Sequence, residues 1–520
     1  MTEVLEVATR ADALSPRLAG ADWWTDDMVA AARIPVYDVP LVTVGGGMGS
    51  FVLVDYLRVV GRLRTSDIRV LSNLPYPWKT YEYLTRVSQL PRHKRIRSDS
   101  SSRPGNLWGF PSYALEEAFR DRTLRPLIQV LLEPLFADFF TPLLNDALNG
   151  IEREANRIRY WDMLVQGQVR TVRRRFGGGY FTVLVPQLGG TAGAGPDAGD
   201  MPGPIAYRSR DVHVAVGYSG LRFLPDLRHF RERYKDFHHV VNGYEDHEHV
   251  YTALSHRPGT VVVRGSGIVT SAVLDRLFSD RRKYGAQTRI VHLFRNFVAG
   301  RHGPHAWARR RGRDGFAYQG FNYPKSAWGG QLRARMIRSD GQALVRKYSE
   351  IDGTTTAWRR HWQRGLREAK RAGWYVGRPG TIEDMRLDGD RVMLDVRGEN
   401  GVEQVRADFV IDCTGLDGDV ARHQVLADLL DHGGAGRNPL GRLDVSPSFE
   451  LRGASSGMGR IYVTGAASYG GYFPGVDTFL GLQISAQEVV LDVARRGHCD
   501  WLGPLRSLRE WVKWARAREV

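Results

Sequence analysis

Val44-Gly45-Gly46-Gly47-Met48-Gly49-Ser50 and Val263-Arg264-Gly265-Ser266-Gly267-Ile268-Val269-Thr270 are glycine-rich turns, each set between a short apolar run and a stretch with helical spacing. The first follows Pro40 to Val44, precedes the periodic Phe51, Val54, Leu57 and Val60, and is closed by a second apolar run, Ile68-Arg69-Val70-Leu71. The second follows Thr260 to Val263, precedes Leu274, Leu277 and Phe278, and is closed by Arg289 to Phe294. Both read as strand, turn, helix and parallel strand. Glycine permits the tight backbone path and lets amides approach a ligand, while the helix N-terminus adds positive potential, so such a turn cradles a pyrophosphate. Gly45 and Gly47 take the first two positions of the dinucleotide fingerprint, with Ser50 at the third, where a small residue lets helix and strand pack. Gly265 and Gly267 match in the second, with Thr270 or Ser271 where the helix begins. Two cradles in one chain predict two dinucleotides held face to face, the arrangement that passes a hydride.

The two units differ at the end of their second strand. The acidic residue that binds ribose hydroxyls after such a unit is absent from Leu71-Ser72-Asn73-Leu74, where Ser72 or Asn73 offers only a neutral hydrogen bond. In the second unit Val291-His292-Leu293-Phe294 ends in Arg295. A guanidinium there suits a 2′-phosphate and favours NADPH over NADH; the alternative is a solvated surface arginine.

The rest of the chain fits an enzyme of this size. Its 520 residues exceed one ordinary core, so two or three domains are expected. A hydrophobic share of 42% and a charged share of 25% belong to a folded, soluble protein. No apolar run is long enough to span a membrane, and Met1 to Arg10 is acidic and polar, so a cytoplasmic protein is expected. Two cysteines, Cys413 and Cys499, exclude a CxxC relay and a cysteine zinc site. The net charge of +16 is spread in short arginine clusters such as Arg173-Arg174-Arg175 and reads as general basicity rather than a nucleic-acid surface.

Residues 1–35 read as a polar, weakly helical leader, and 74–160 as mostly helical. A hairpin is expected from Gln168–Arg175 and Tyr180–Val185, a Gly/Ala/Pro-rich surface loop from 188–204, and a buried strand from Asp211 to Gly217. An aromatic-rich insertion spans about 297–376. A hairpin (391–396, 404–406), the runs 409–415 and 460–466 and a helix from about 479 to 495 complete the pattern. In the tail, Leu505, Leu508, Trp511, Val512 and Ala515 have helical spacing with basic flanks, read as a helix packed on the body rather than a membrane anchor.

With its two turns and returning C-terminal strand and helix, the chain resembles the two-dinucleotide-binding-domain flavoproteins, and within them the class B flavin-dependent monooxygenases, N-hydroxylating or Baeyer-Villiger in type. The resemblance covers about residues 38–495. It implies an α/β fold of two Rossmann-like domains, the NADP domain inserted in the FAD domain, with an added helical segment. The FAD domain would take 36–225 and 401–498, the NAD(P) domain 226–400, and a C-terminal helix 499–520. It also implies FAD and NADPH as cofactors, dioxygen and a small organic molecule as substrates, and reduced flavin adding oxygen as a C4a-(hydro)peroxide. The family's strand-ending small-Thr-Gly pattern corresponds to Ala215-Val216-Gly217 and, better, to Cys413-Thr414-Gly415. Its last flavin strand ends in Gly-Asp; here Gly465-Ala466 stands instead, and Asp477 either compensates at the flavin or caps the following helix. The Baeyer-Villiger fingerprint is not kept in spacing around His238-His239.

Candidate catalytic residues come from two segments. Tyr318 to Gln331 mixes aromatics, amides, glycines and one lysine, as a small-molecule pocket needs; Lys325 and Asn322 are its candidates, a structural loop being the alternative. The Ser98–Pro111 loop carries Arg103, Asn106 and Trp108, which the resemblance sets around the flavin ring, with Arg103 favouring an anionic reduced flavin. His238, His239, His247 and His249 lack metal-ligand spacing, so no metal is expected. With no thiol pair to accept electrons, dioxygen is the expected acceptor; a flavin dehydrogenase or oxidase without oxygen insertion is the alternative, then a nucleic-acid-linked flavoprotein or redox-sensing module. An oligomer is compatible with all three.

Overall fold

The computed structural model describes residues 14–96, 112–136, 140–186, 203–301, 312–318, 326–327, 329–351, 356 and 359–520. Two parallel sheets carry the two turns. In the first, β3 (Leu41–Val44) is flanked by β4 (Ile68–Ser72) and β8 (Asp211–Val214), and the parallel order extends to β19 (Ile461–Val463) and to the start of β5 (Leu164–Arg175). β3, β4 and β8 are buried along their whole length, as strands covered on both faces must be, which is why they read as mainly apolar runs without alternation. β5 continues into an antiparallel meander with β6 (Tyr180–Pro186) and β7 (Ile205–Ser209), the expected hairpin extended by one strand, and β2 (Val36–Asp38) closes that edge.

The second sheet has the order β10 (Val240–Asn242), β17 (Phe409–Asp412), β11 (Gly259–Arg264), β12 (Thr288–Phe294), β13 (Tyr375–Pro379), all parallel. A three-stranded antiparallel sheet of β14 (Thr381–Asp388), β15 (Arg391–Gly398) and β16 (Gly401–Ala407) adds one strand to the expected hairpin and packs with Leu227 and Phe230. The chain leaves the first unit and re-enters it through neighbouring segments, β9 (Gly220–Leu221) and β18 (Leu416–Asp417), which pair antiparallel as a short ribbon. The fold is thus the expected α/β architecture, one dinucleotide-type unit nested within the other.

Three expectations change. From Leu14 on, the leader is part of the fold: β1 (Trp23–Trp24) pairs with β5, Trp24 is fully buried beside Phe181 and Val183, and its indole N–H donates to Leu18 O at 3.0 Å. Polar spacing hides this, because its buried side chains, Leu18, Trp24, Val29 and Ile34, are scattered through the segment rather than set on one periodic face. The strand at 409–412 completes the second sheet rather than beginning the return to the first, since β17 lies between β10 and β11; the return starts at the ribbon. The aromatic-rich insertion is divided: Leu332, Met336, Leu344 and Tyr348 join the core of the first unit, while Trp362, Leu366 and Ala369 join that of the second. Among the described residues no helix is long and apolar enough to cross a membrane.

Candidate dinucleotide sites

Each turn follows its strand and opens a helix whose N-cap is glycine: Gly47 before α1 (Met48–Val59), and Gly267 before α2 (Ile268–Tyr284). A glycine cap brings no side-chain acceptor to the first-turn amides, which leaves them for an anion. Gly45 has φ of +91° and its N–H donates to Leu71 O at 2.9 Å; a Cβ there would meet Ala215 O at 2.5 Å. A Cβ on Gly46 would meet the buried Ser72 Oγ at 2.5 Å, whereas one on Gly47 would meet nothing within 4 Å. The backbone is thus packed from below at Gly45 and Gly46 and open at Gly47, the shape a pyrophosphate cradle requires. Close helix–strand approach occurs at Gly49, where a Cβ would come 2.9 Å from Ala215 Cβ; the fingerprint alone assigns that task to Ser50.

Ser50 does something else. Its Oγ accepts from Thr43 Oγ1 at 2.9 Å, and Thr43 Oγ1 lies 2.7 Å from His213 Nδ1, whose Nε2 is 2.8 Å from Thr464 Oγ1. Since the Thr43 hydroxyl proton is directed at Ser50, His213 Nδ1–H donates to Thr43 and Nε2 accepts from Thr464. This fully buried chain ties α1, β3, β8 and the residue after β19 together directly beneath the turn. Burial depresses the His213 pKa to about 3, so the imidazole is neutral. The sequence signal is a histidine inside the apolar run Val212-His213-Val214, easily passed over because it lies outside the motif.

The second turn is built alike. Gly265 has φ of +131°, and a Cβ would meet Thr270 Oγ1 at 2.7 Å and Cys413 O at 2.8 Å. His292, buried on β12, lies with Nε2 2.6 Å from Gly265 O; a carbonyl only accepts, so Nε2 carries the proton and Nδ1 accepts from Tyr375 OH at 2.8 Å. Its pKa is likewise depressed by burial to about 3. Thr270 is buried, Ile268 is exposed, and Val269 packs into the second core. Arg264, just before the turn, is buried in ion pairs with Asp226 and Asp412. Arg295 stands exposed immediately after β12.

The remaining candidates divide between the two turns. Ser72 lies under the first, its Oγ accepting from Leu74 N at 2.9 Å, and Asn73 beside it is exposed. Thr414 and Gly415 stand by the second turn, Thr414 N donating to Asp412 Oδ1 at 3.1 Å. Gly465, with φ of +72°, follows β19 and approaches Leu482 of α3 (Phe479–Arg495). Asp477 is not the helix cap: Thr478 is, accepting from Gly481 N at 3.1 Å, while Asp477 accepts from Tyr218 OH at the end of the β8 loop. Arg103, Asn106, Trp108, Asn322 and Lys325 lie outside the described residues. The two cysteines are in different places, Cys413 buried in the second core and Cys499 packed against the first, so they form no thiol pair. Among the described residues no cluster of His, Cys, Asp or Glu could hold a metal.

No family model and no curated protein matches the sequence. Solved structures do match in fold. An ornithine N-hydroxylase from Kutzneria sp. 744, solved with reduced FAD, NADP+ and L-ornithine, aligns with a TM-score of 0.60 at 13% identity over 89% of this chain and 100% of its own. The cadaverine monooxygenase DfoA of Erwinia amylovora, bound to FAD, gives 0.59 at 12% identity over 90% and 96%. The L-lysine 6-monooxygenase of Pseudomonas syringae gives 0.57 at 12% identity over 88% and 99%. The chain therefore shares with these monooxygenases one fold, an α/β unit nested inside another.

Proposed function

We propose that this protein is an FAD- and NADPH-dependent monooxygenase of a small organic molecule, with FAD on the first turn and NADPH on the second. The observation that carries the reading is the pair of glycine cradles at the ends of two parallel sheets in a chain without a thiol pair. The cradles fit the cofactors: Gly45 to Ser50 would hold the FAD pyrophosphate, with Ser72 and Asn73 by its ribose. Gly265, Ser266, Gly267 and the start of α2 through Thr270 would hold that of NADPH, with Arg295 on its 2′-phosphate. Bound there, the pair would supply a hydride and the reduction of dioxygen.

The similar structures belong to enzymes of ornithine, lysine and cadaverine, which supports an aliphatic primary amine as the substrate class. The balanced reaction is R–NH2 + O2 + NADPH + H+ giving R–NHOH + H2O + NADP+. The amine must reach the oxygen-transferring face uncharged, since only a free nitrogen lone pair accepts oxygen. Arg103, Asn106 and Trp108 are proposed to border the flavin ring, Asn322 and Lys325 to orient the reacting groups. Gly465 and Asp477 are proposed to flank the flavin, and Thr414 and Gly415 to line the passage between the sites. Two unpaired cysteines fit a reducing compartment, so the reading includes a cytoplasmic location.

The test combines the absorption spectrum of the purified protein, anaerobic reduction by NADPH, and turnover of candidate diamines under isotopically labelled dioxygen. The expected result is a bound flavin, reduced faster by NADPH than by NADH, and one labelled oxygen atom in the product. A flavin that turns over without label in any product would replace this reading with a dehydrogenase or oxidase. A colourless protein that fails to take up FAD would end both.

A further inference from the structure

The C-terminal helix Pro504–Ala515 docks on the first unit the wrong way round for a surface helix. Its inward face carries charged groups, with Trp514 half-buried among them. Glu510 is buried, with Lys513 Nζ at 3.3 Å, and Arg506 reaches past the helix to donate to the carbonyls of Val59 and Val60 at the end of α1. Its outward face is apolar: Leu505 is 86% exposed, Leu508 57% and Trp511 38%, with Trp501 just before the helix at 42%. Positions 505, 508, 512 and 515 succeed one another at helical spacing, so Leu505, Leu508, Val512 and Ala515 form one continuous stripe with Trp511 along its edge. The exposed Arg509 and Arg516 adjoin it, while the helix's only acid, Glu510, is turned inward.

We infer that this stripe is a peripheral docking surface for an anionic lipid bilayer. Leucine and tryptophan on one face with arginines beside them are the chemistry of a helix lying in the headgroup plane, its apolar side entering the acyl boundary and its cations meeting lipid phosphates. Charge complementarity favours lipid over a second copy of the chain, because self-pairing would bring the same arginines together. Area favours it too: a twelve-residue helix is about 18 Å long and about 10 Å wide, so its face offers roughly 180 Å². A stable dimer uses about 800 Å² per partner.

The test is co-sedimentation of the full-length protein with vesicles of phosphatidylcholine alone or mixed with phosphatidylglycerol. Binding is expected to the mixed vesicles only, reversed by high salt. Replacing both Leu505→Ser and Leu508→Ser should weaken it by at least about tenfold, and the pair Arg509→Glu and Arg516→Glu should abolish the preference for anionic lipid. All four side chains are exposed, and unchanged far-ultraviolet circular dichroism certifies each variant; should one pair misfold, the other decides. Absence of wild-type binding to the mixed vesicles overturns the inference. So does binding that both variants retain, or a concentration-dependent dimer that the leucine pair dissolves in protein that ignores vesicles.

Discussion

His213 gives the sharpest quantitative consequence of the structure. Its native pKa lies at about 3 because burial excludes the imidazolium, whereas an unfolded histidine titrates near 6.5. Below pH 6.5 the unfolded chain therefore binds a proton that the native state refuses, and stability falls as pH drops toward 3; above pH 6.5 the contribution is fully present. Linkage puts the loss at about 2 kcal/mol at pH 5 against about 0.2 kcal/mol at pH 7. The figure is insensitive to the native value as long as it stays below about 4, because at pH 5 only the unfolded histidine is then titrating. Urea unfolding followed by tryptophan fluorescence, at pH 7 and pH 5 for the wild type and His213→Gln, isolates the effect as a double difference. The variant should lose about 2 kcal/mol of the pH dependence, besides a fixed cost of about 1–3 kcal/mol for a buried threonine hydroxyl left unpaired. Equal pH dependence in the two proteins, or a His213 resonance titrating above pH 5 in the folded protein, would refute the buried neutral network.

Gly45→Ala places a methyl 2.5 Å from Ala215 O at a φ of +91°; strain of about 1–3 kcal/mol should yield protein with little bound flavin, read from the absorption spectrum. Arg295→Ala should raise KM for NADPH about ten- to hundredfold, as loss of a charged hydrogen bond does, and leave KM for NADH within about twofold. Burial and the facing Glu154 hold the Asp55 carboxyl protonated well above the ordinary carboxylate range. The folded state thus keeps a proton that the unfolded chain releases, and stability declines as pH rises above about 4. Asp55→Asn, which keeps a donor toward Glu154, should be the more stable protein at pH 8 and match the wild type near pH 4 in chemical unfolding. Thr478→Ala removes the cap of α3 and should cost about 1 kcal/mol in the same assay.

The sequence discloses the parts whose physics is local. Glycine before a helix and short, mainly apolar strands announce both turns, because those requirements are met within a dozen residues. Long-range supports are invisible in it. His213 acquires its meaning from Thr43 and Thr464, and His292 from Gly265 and Tyr375, partners that only the sheet order brings within reach. Asp477 does stand at the head of a helix, yet Thr478, one residue on, takes the capping bond and leaves the carboxylate to Tyr218. Segment 409–412 is legible as a strand but not as a member of the second sheet, since an apolar run carries no label for its neighbours. The tail's apolar spacing is evident, but not which way the stripe turns, because that depends on Arg506 finding backbone carbonyls on the body and on Glu510 being buried beside it.

The division of the aromatic-rich insertion has a consequence for dissection of the molecule. The segment that leaves the second sheet after β12 sends Leu332, Met336, Leu344 and Tyr348 into the first core, where Tyr348 OH donates to Gly471 O at 2.9 Å, before returning to pair β13. Excising the inner unit at the ribbon would therefore pull a plug from the outer one and uncover the loop that leads to α3. The inner unit, expressed alone, would carry four unsheltered apolar side chains. The protein is modular in shape but not in assembly: neither half is a separable reagent, and fusions or truncations should respect the whole span from Leu18 to the tail.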